Sequence, residues 1–123
     1  MSDNYFKTGL ENLKKIYGTA GSNVIENLSD IAPDLARYII EFAFGQIYER
    51  PGLSLQEREL LTLSSLLTAG GCEAQLQVHI NAALHVGIKE EKIIEAFLHC
   101  IPYTGFPKVL NAVAVAGQIF SGK

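Results

Sequence analysis

Residues 57–87 read ERELLTLSSLLTAGGCEAQLQVHINAALHVG, and residues 88–107 continue IKEEKIIEAFLHCIPYTGFP. Three amphipathic helical patterns are packed into this stretch. Leu60, Leu61, Leu63, Leu66 and Leu67 mark the first, and Gly70-Gly71 closes it. The second runs from Cys72 to Val86, with Gly87 in the left-handed position that commonly ends a helix. The third spans Lys89 to Ile101 and turns Ile93, Ile94, Phe97 and Leu98 inward. Pro102 to Pro107 reads as a turn that restarts a final helix over residues 107–120. Both cysteines and all three histidines lie in this half, so any chemistry is sought here.

The rest of the chain follows the same period. Leu10, Leu13, Ile16 and Tyr17 form the apolar stripe of a first helix over residues 3–17, with Gly18 as its stop. A short helix over 23–28 carries Val24, Ile25 and Leu28. Asp30 to Pro33 has the form of a helix entry, because proline is tolerated in the first turn. The helix from Pro33 to Tyr48 directs Leu35, Ile39, Phe42, Ala43 and Ile47 inward, and Pro51-Gly52 ends it. Ser54-Leu-Gln-Glu57 has the pattern of a capping box for the helix that follows. No run alternates with period two. The expected fold class is all-α, six to seven helices in one domain over residues 1–123.

Composition narrows the partners. With 48% hydrophobic and 19% charged residues the chain suits a packed core rather than a disordered segment. A net charge of -3 with no basic run makes nucleic acid and anionic membrane poor partners. The first residues are polar and lack the apolar run of a signal peptide, and the longest apolar tract, 109–120, is about half a bilayer span. A soluble, cytoplasmic protein is expected, with its two cysteines reduced. The final helix is apolar nearly all round, from Val109 to Phe120. Such a helix is either the centre of the core or is covered by another subunit, and a domain this small favours the second. Self-association is therefore expected.

On a helix of about 3.6 residues per turn, Cys72, Gln75 and His79 run along the edge of the side that carries Leu76, Ile80 and Ala83. A histidine there can face a partly desolvated pocket. The same spacing is met by a core-edge histidine bonded to a backbone carbonyl. Arg58 and Glu59 open a helix, where a solvated face is the plain alternative; Cys72 also fits as a small apolar residue, and Tyr103 as a packing residue. No histidine or cysteine pair has the i, i+3 or i, i+4 spacing of metal ligands, so no metal site is expected.

Taken together, Arg58-Glu-Leu-Leu-Thr-Leu, Gly71-Cys-Glu-Ala-Gln-Leu followed by His79, Ala82-Ala83 to Gly87, Glu90-Glu91 to Glu95 and Tyr103-x-Gly105-x-Pro107 resemble the carboxymuconolactone decarboxylase family, which shares the alkyl hydroperoxidase D-like fold. The resemblance covers most of residues 33–120. It implies an all-α helical bundle assembled into trimers or hexamers, acting on a small-molecule carboxylate without a cofactor. The implied reaction removes CO2 from a lactone carboxylic acid of the 4-carboxymuconolactone type. His79 is then the candidate general acid or oxyanion donor, and Glu59 holds its tautomer. Arg58 is the candidate carboxylate clamp, with Tyr103 and Gln75 as further substrate contacts.

The family's peroxidase-like branch carries Cys-x-x-Cys-x-x-x-His. Cys72 and His79 match its first cysteine and its histidine, Gln75 stands where the second cysteine would be, and Glu59 is one residue off the glutamate's place. A thiol peroxidase working through Cys72 is the alternative activity. It would work with or without Cys100, which could take the place of the missing second cysteine only if the two Cα atoms are closer than about 7 Å. A non-catalytic, small-molecule-binding helical assembly is the third reading.

Overall fold

The computed structural model describes residues 2–18 and 20–122. Among these residues every regular element is helical, as the periodicity predicts: α1 (Ser2–Tyr17), α2 (Ala20–Ile31), α3 (Pro33–Tyr38) running on as a π-helical segment (Ile39–Ile47), α4 (Leu55–Ala69), α5 (Glu73–His85), α6 (Glu90–Thr104) and α7 (Phe106–Ser121). None of these helices is long and apolar enough to cross a membrane. The backbone falls into two compact units, Met1–Leu55 and Gln56–Lys123.

In the first unit α1 lies against the π segment at backbone distance. A side-chain carbon on Gly9 would run into the carbonyl of Ile40, and one on Gly45 into the carbonyl of Tyr5. The two glycines let the helix backbones touch, and this sets which faces are buried. The period of residues 33–48 points Leu35, Phe42 and Ile47 inward. The structure buries Ala36, Ile40 and Phe44 instead, and leaves Phe42 57% exposed. The winding contributes, since the Tyr48 amide bonds the Ala43 carbonyl five residues back (2.9 Å). On α1, Leu13 and Ile16 are buried as expected, whereas Leu10 is exposed and Asn12 is buried. The Asn12 amide donates to the Phe44 carbonyl (2.7 Å) and to Glu49 (2.9 Å). It thereby supplies a partner to one of the last carbonyls of the π segment. Helix α2 is longer than residues 23–28. The Ser29 hydroxyl turns back to the Ile25 carbonyl (2.8 Å) within it, and the helix continues until Ala32 leaves helical geometry ahead of Pro33.

Gly9→Ala is expected to cost about 3 kcal/mol, the upper end for overpacking, because backbone rather than a movable side chain opposes the new methyl. Gly117→Ala, in α7 with open space around it, is expected to stabilise by up to about 1 kcal/mol. Urea unfolding followed by circular dichroism checks the opposite signs.

The second unit is built around Leu63 and Leu67 of α4, Leu76, Ile80 and Ala83 of α5, Ile93, Phe97 and Cys100 of α6, and Val109, Ala112 and Ala116 of α7. Gly70 (φ 77°) and Gly71 (φ 68°) make the α4–α5 turn, a pair of left-handed residues that side chains would strain. Helix α6 does not stop at Ile101. It runs through Pro102 to Thr104, and the break is Gly105 alone (φ 91°). Pro102 removes the donor for the Leu98 carbonyl, but both residues lie on the exposed side. The Thr104 hydroxyl bonds the Cys100 carbonyl (3.1 Å) and holds the last turn. On α7 the buried line is narrow, and Phe106 and Leu110 are exposed.

Candidate active site

Glu59, Leu63 and Leu67 stand four residues apart, so a carboxylate occupies the first place on the core-facing line of α4. Glu59 is accordingly 0% exposed, which removes the solvated-face alternative for this residue. Helix α5 sets Leu76, Ile80 and Ala83 in the core and leaves His79 on the border, its side chain 17% exposed. The two meet: His79 Nδ1 and Glu59 Oε1 are 3.1 Å apart. A carboxylate only accepts, so the bond forms with the proton on Nδ1. This fixes the tautomer and turns Nε2, on the far side of the ring, away from Glu59. A buried charged group is costly unless it is bonded, and the pair satisfies that requirement for Glu59.

Arg58 immediately precedes Glu59 on α4, half-buried, with its Nε out of solvent. The Thr62 hydroxyl bonds the Arg58 carbonyl (2.9 Å) one turn on. A guanidinium next in sequence to the Glu59–His79 pair offers a planar, two-pronged donor for a carboxylate.

The remaining candidates lie further out. Cys72 occupies the residue before α5, half-buried, its Sγ 3.4 Å from the Gly70 carbonyl. Seven residues separate it from His79, about 10 Å along the helix axis. Gln75 is exposed. Tyr103 is 78% exposed and lies against the ring of His99 at 5.8 Å. Both cysteines are free thiols, and Cys100 is buried in the core of the second unit. Among the described residues no group of three or more His, Cys, Asp or Glu is placed to hold a metal ion.

Two contacts that spacing does not announce frame the helix pair. Gln56 Nε2 donates to the Val86 carbonyl at the end of α5 (2.8 Å), and Lys108 Nζ donates to the Thr68 carbonyl at the end of α4 (2.8 Å). Gln56 sits inside the Ser54–Glu57 cap pattern, one turn before Glu59, and this is the signal that the sequence holds for it.

The family model of the carboxymuconolactone decarboxylase family matches residues 33–118, most of the chain, from the last part of the first unit across nearly all of the second. The chain belongs to this family. The 4-carboxymuconolactone decarboxylase of Acinetobacter baylyi is 34% identical to it over 116 residues, 94% of this chain and 86% of that protein. The nitrosuccinic acid decarboxylase of Metarhizium robertsii is 34% identical over 109 residues, 85% of this chain and 76% of that protein. Glu59 and His79, on the successive helices α4 and α5, both lie within the matched segment.

Proposed function

We propose that this protein is a cofactor-free decarboxylase of a small lactone carboxylic acid of the 4-carboxymuconolactone type, or of a similar acid whose departing carboxylate stands near an electron-accepting group. The observation that carries the reading is the His79 ring held at Nδ1 by the fully buried Glu59. Two relatives named as decarboxylases support the reaction class. Their substrates by name carry a lactone or a nitro group, each able to accept the electron pair that CO2 leaves behind.

In this reaction the carbon–carboxylate bond breaks and CO2 departs. Its bonding pair moves through the conjugated system to the acceptor oxygen. With its Nδ1 proton given to Glu59, the His79 ring takes up a solvent proton at Nε2 and delivers it to that oxygen or to the carbon that must be reprotonated. Arg58 orients a substrate carboxylate, with Gln75 and Tyr103 as outer contacts and Cys72 two turns along α5 as a wall of the same helix face. The chain's own side chains supply an acid, an oriented base behind it and a cation, which is all this chemistry requires. We further infer self-association into a trimer or hexamer, supported by the exposed Leu98, Phe106 and Leu110 on α6 and α7. Two free thiols agree with a cytoplasmic setting.

The test is direct. Purified protein is incubated with 4-carboxymuconolactone, and loss of substrate and release of CO2 are followed. Turnover is expected, and Cys72→Ser is expected to retain kcat within about twofold because no step passes through the thiol. Hydroperoxide turnover that vanishes in Cys72→Ser, with no decarboxylation, would instead support the thiol peroxidase. Substrate binding without turnover would support a non-catalytic binding assembly.

A further inference from the structure

Glu59 and Arg58 both leave α4 in its first turns, which is where a helix is most prone to fray because its first four amides have no helical partner. The same segment carries Gln56, three residues and about 4.5 Å along the axis from Glu59. Its side-chain amide reaches across to the Val86 carbonyl (2.8 Å), 30 residues away in sequence. Val86 is the cap of α5 (φ -85°, ψ 8°), and its carbonyl belongs to the group that a helix leaves without an internal donor. Gln56 to the cap at Val86 and Glu59 to His79, seven residues before it, thus cross-link the start of α4 to α5.

We propose that Gln56 is a positioning residue for the Glu59–His79 pair, clasping the opening turn of α4 to the end of α5. It touches neither substrate nor the reacting atoms. It acts by fixing where the Glu59 backbone sits relative to the helix that carries His79, and so the distance over which the Nδ1 proton is held. The contact needs a donor on residue 56, since its partner is a carbonyl, and this sets the sign of each substitution. The proposal rests on the reading of that pair as the reacting centre, but one arm of its test does not.

The experiment compares Gln56→Glu, Gln56→Lys and Lys108→Met in protein labelled with ¹⁵N at histidine. Gln56→Glu keeps the shape and replaces the donor with an acceptor. Gln56→Lys restores a donor. Lys108→Met removes the other clasp on α4, at Thr68, nine residues and about 13 Å from Glu59. In wild type and Gln56→Lys the His79 ring is expected to show a single pattern protonated at Nδ1. In Gln56→Glu it is expected to broaden or split between tautomers, and kcat to fall about fivefold with KM within twofold, the factor that one net hydrogen bond supplies. Lys108→Met is expected to lower the melting temperature while leaving the His79 signals and kcat as in wild type. Gln56→Glu with wild-type His79 signals and kcat, whatever its melting temperature, would overturn the proposal and leave Gln56 a stabilising contact only. Should the wild type decarboxylate no carboxylate at all, the functional reading fails, and the imidazole signals still decide the role of Gln56.

Discussion

His79→Ala is expected to lower kcat for decarboxylation by about 10³-fold while changing KM by less than about threefold. Two contributions combine in one ring. A positioned general acid supplies roughly 10²–10⁴-fold, and a donor aimed at a developing oxyanion roughly 10²–10³-fold. These are not independent when the same Nε2 proton serves both, so the single replacement removes their joint effect and not their product. The small change in KM follows because Arg58, not His79, is assigned to the substrate carboxylate; Arg58→Leu is expected to raise KM instead. Steady-state kinetics on both variants separates the two roles. A His79→Ala protein within tenfold of wild-type kcat would move the acid to another residue and end this assignment.

How far the sequence reveals this molecule differs between its two units. In the second, glycines at 70, 71, 87 and 105 carry positive φ, and the apolar period between them reads directly as α4 to α7. The misplaced boundary at Pro102 arose because proline usually ends a helix, whereas here the lost bond falls on an exposed side where it is tolerated. In the first unit the helices are legible but their inward faces are not. Periodicity assumes that bulk marks the buried side. At the α1 contact Gly9 and Gly45 mark it, because absence of a side chain brings the backbones together and carries Ala36, Ile40 and Phe44 in with them. The site divides in the same way. His79 on a core edge and Glu59 in a first helical turn were visible as candidates, but their bond depends on how α4 and α5 are placed in space. Glu59 sits in register with Leu63 and Leu67, so its burial was available from the four-residue spacing. Gln56 and Lys108 left no periodic trace, since each reaches a backbone carbonyl far away in sequence.

The Glu59–His79 pair should be a net burden on stability that the chemistry keeps in place. His79→Leu alone is expected to destabilise by about 3 kcal/mol, since it takes a bond from a carboxylate that has no access to water. Glu59→Leu alone should cost less, about 1–2 kcal/mol, because the imidazole retains 17% exposure and can bond water in its place. If the pair is one coupled unit, the loss in the double variant Glu59→Leu/His79→Leu should lie well below the sum of the two single losses, leaving it close to wild type or more stable. Apolar residues of similar volume then extend the line of Leu63, Leu67, Leu76 and Ile80 that already surrounds this part of the core. Urea unfolding of the four proteins at one pH completes the cycle. Strictly additive losses would mean that the 3.1 Å contact carries no coupling, and the tautomer argument for Glu59 would fall with it. A stable but inactive double variant would instead show that a leucine pair serves the fold as well as the carboxylate and imidazole do. The reason for a buried carboxylate beside His79 would then lie in the proton that the ring delivers and not in the fold.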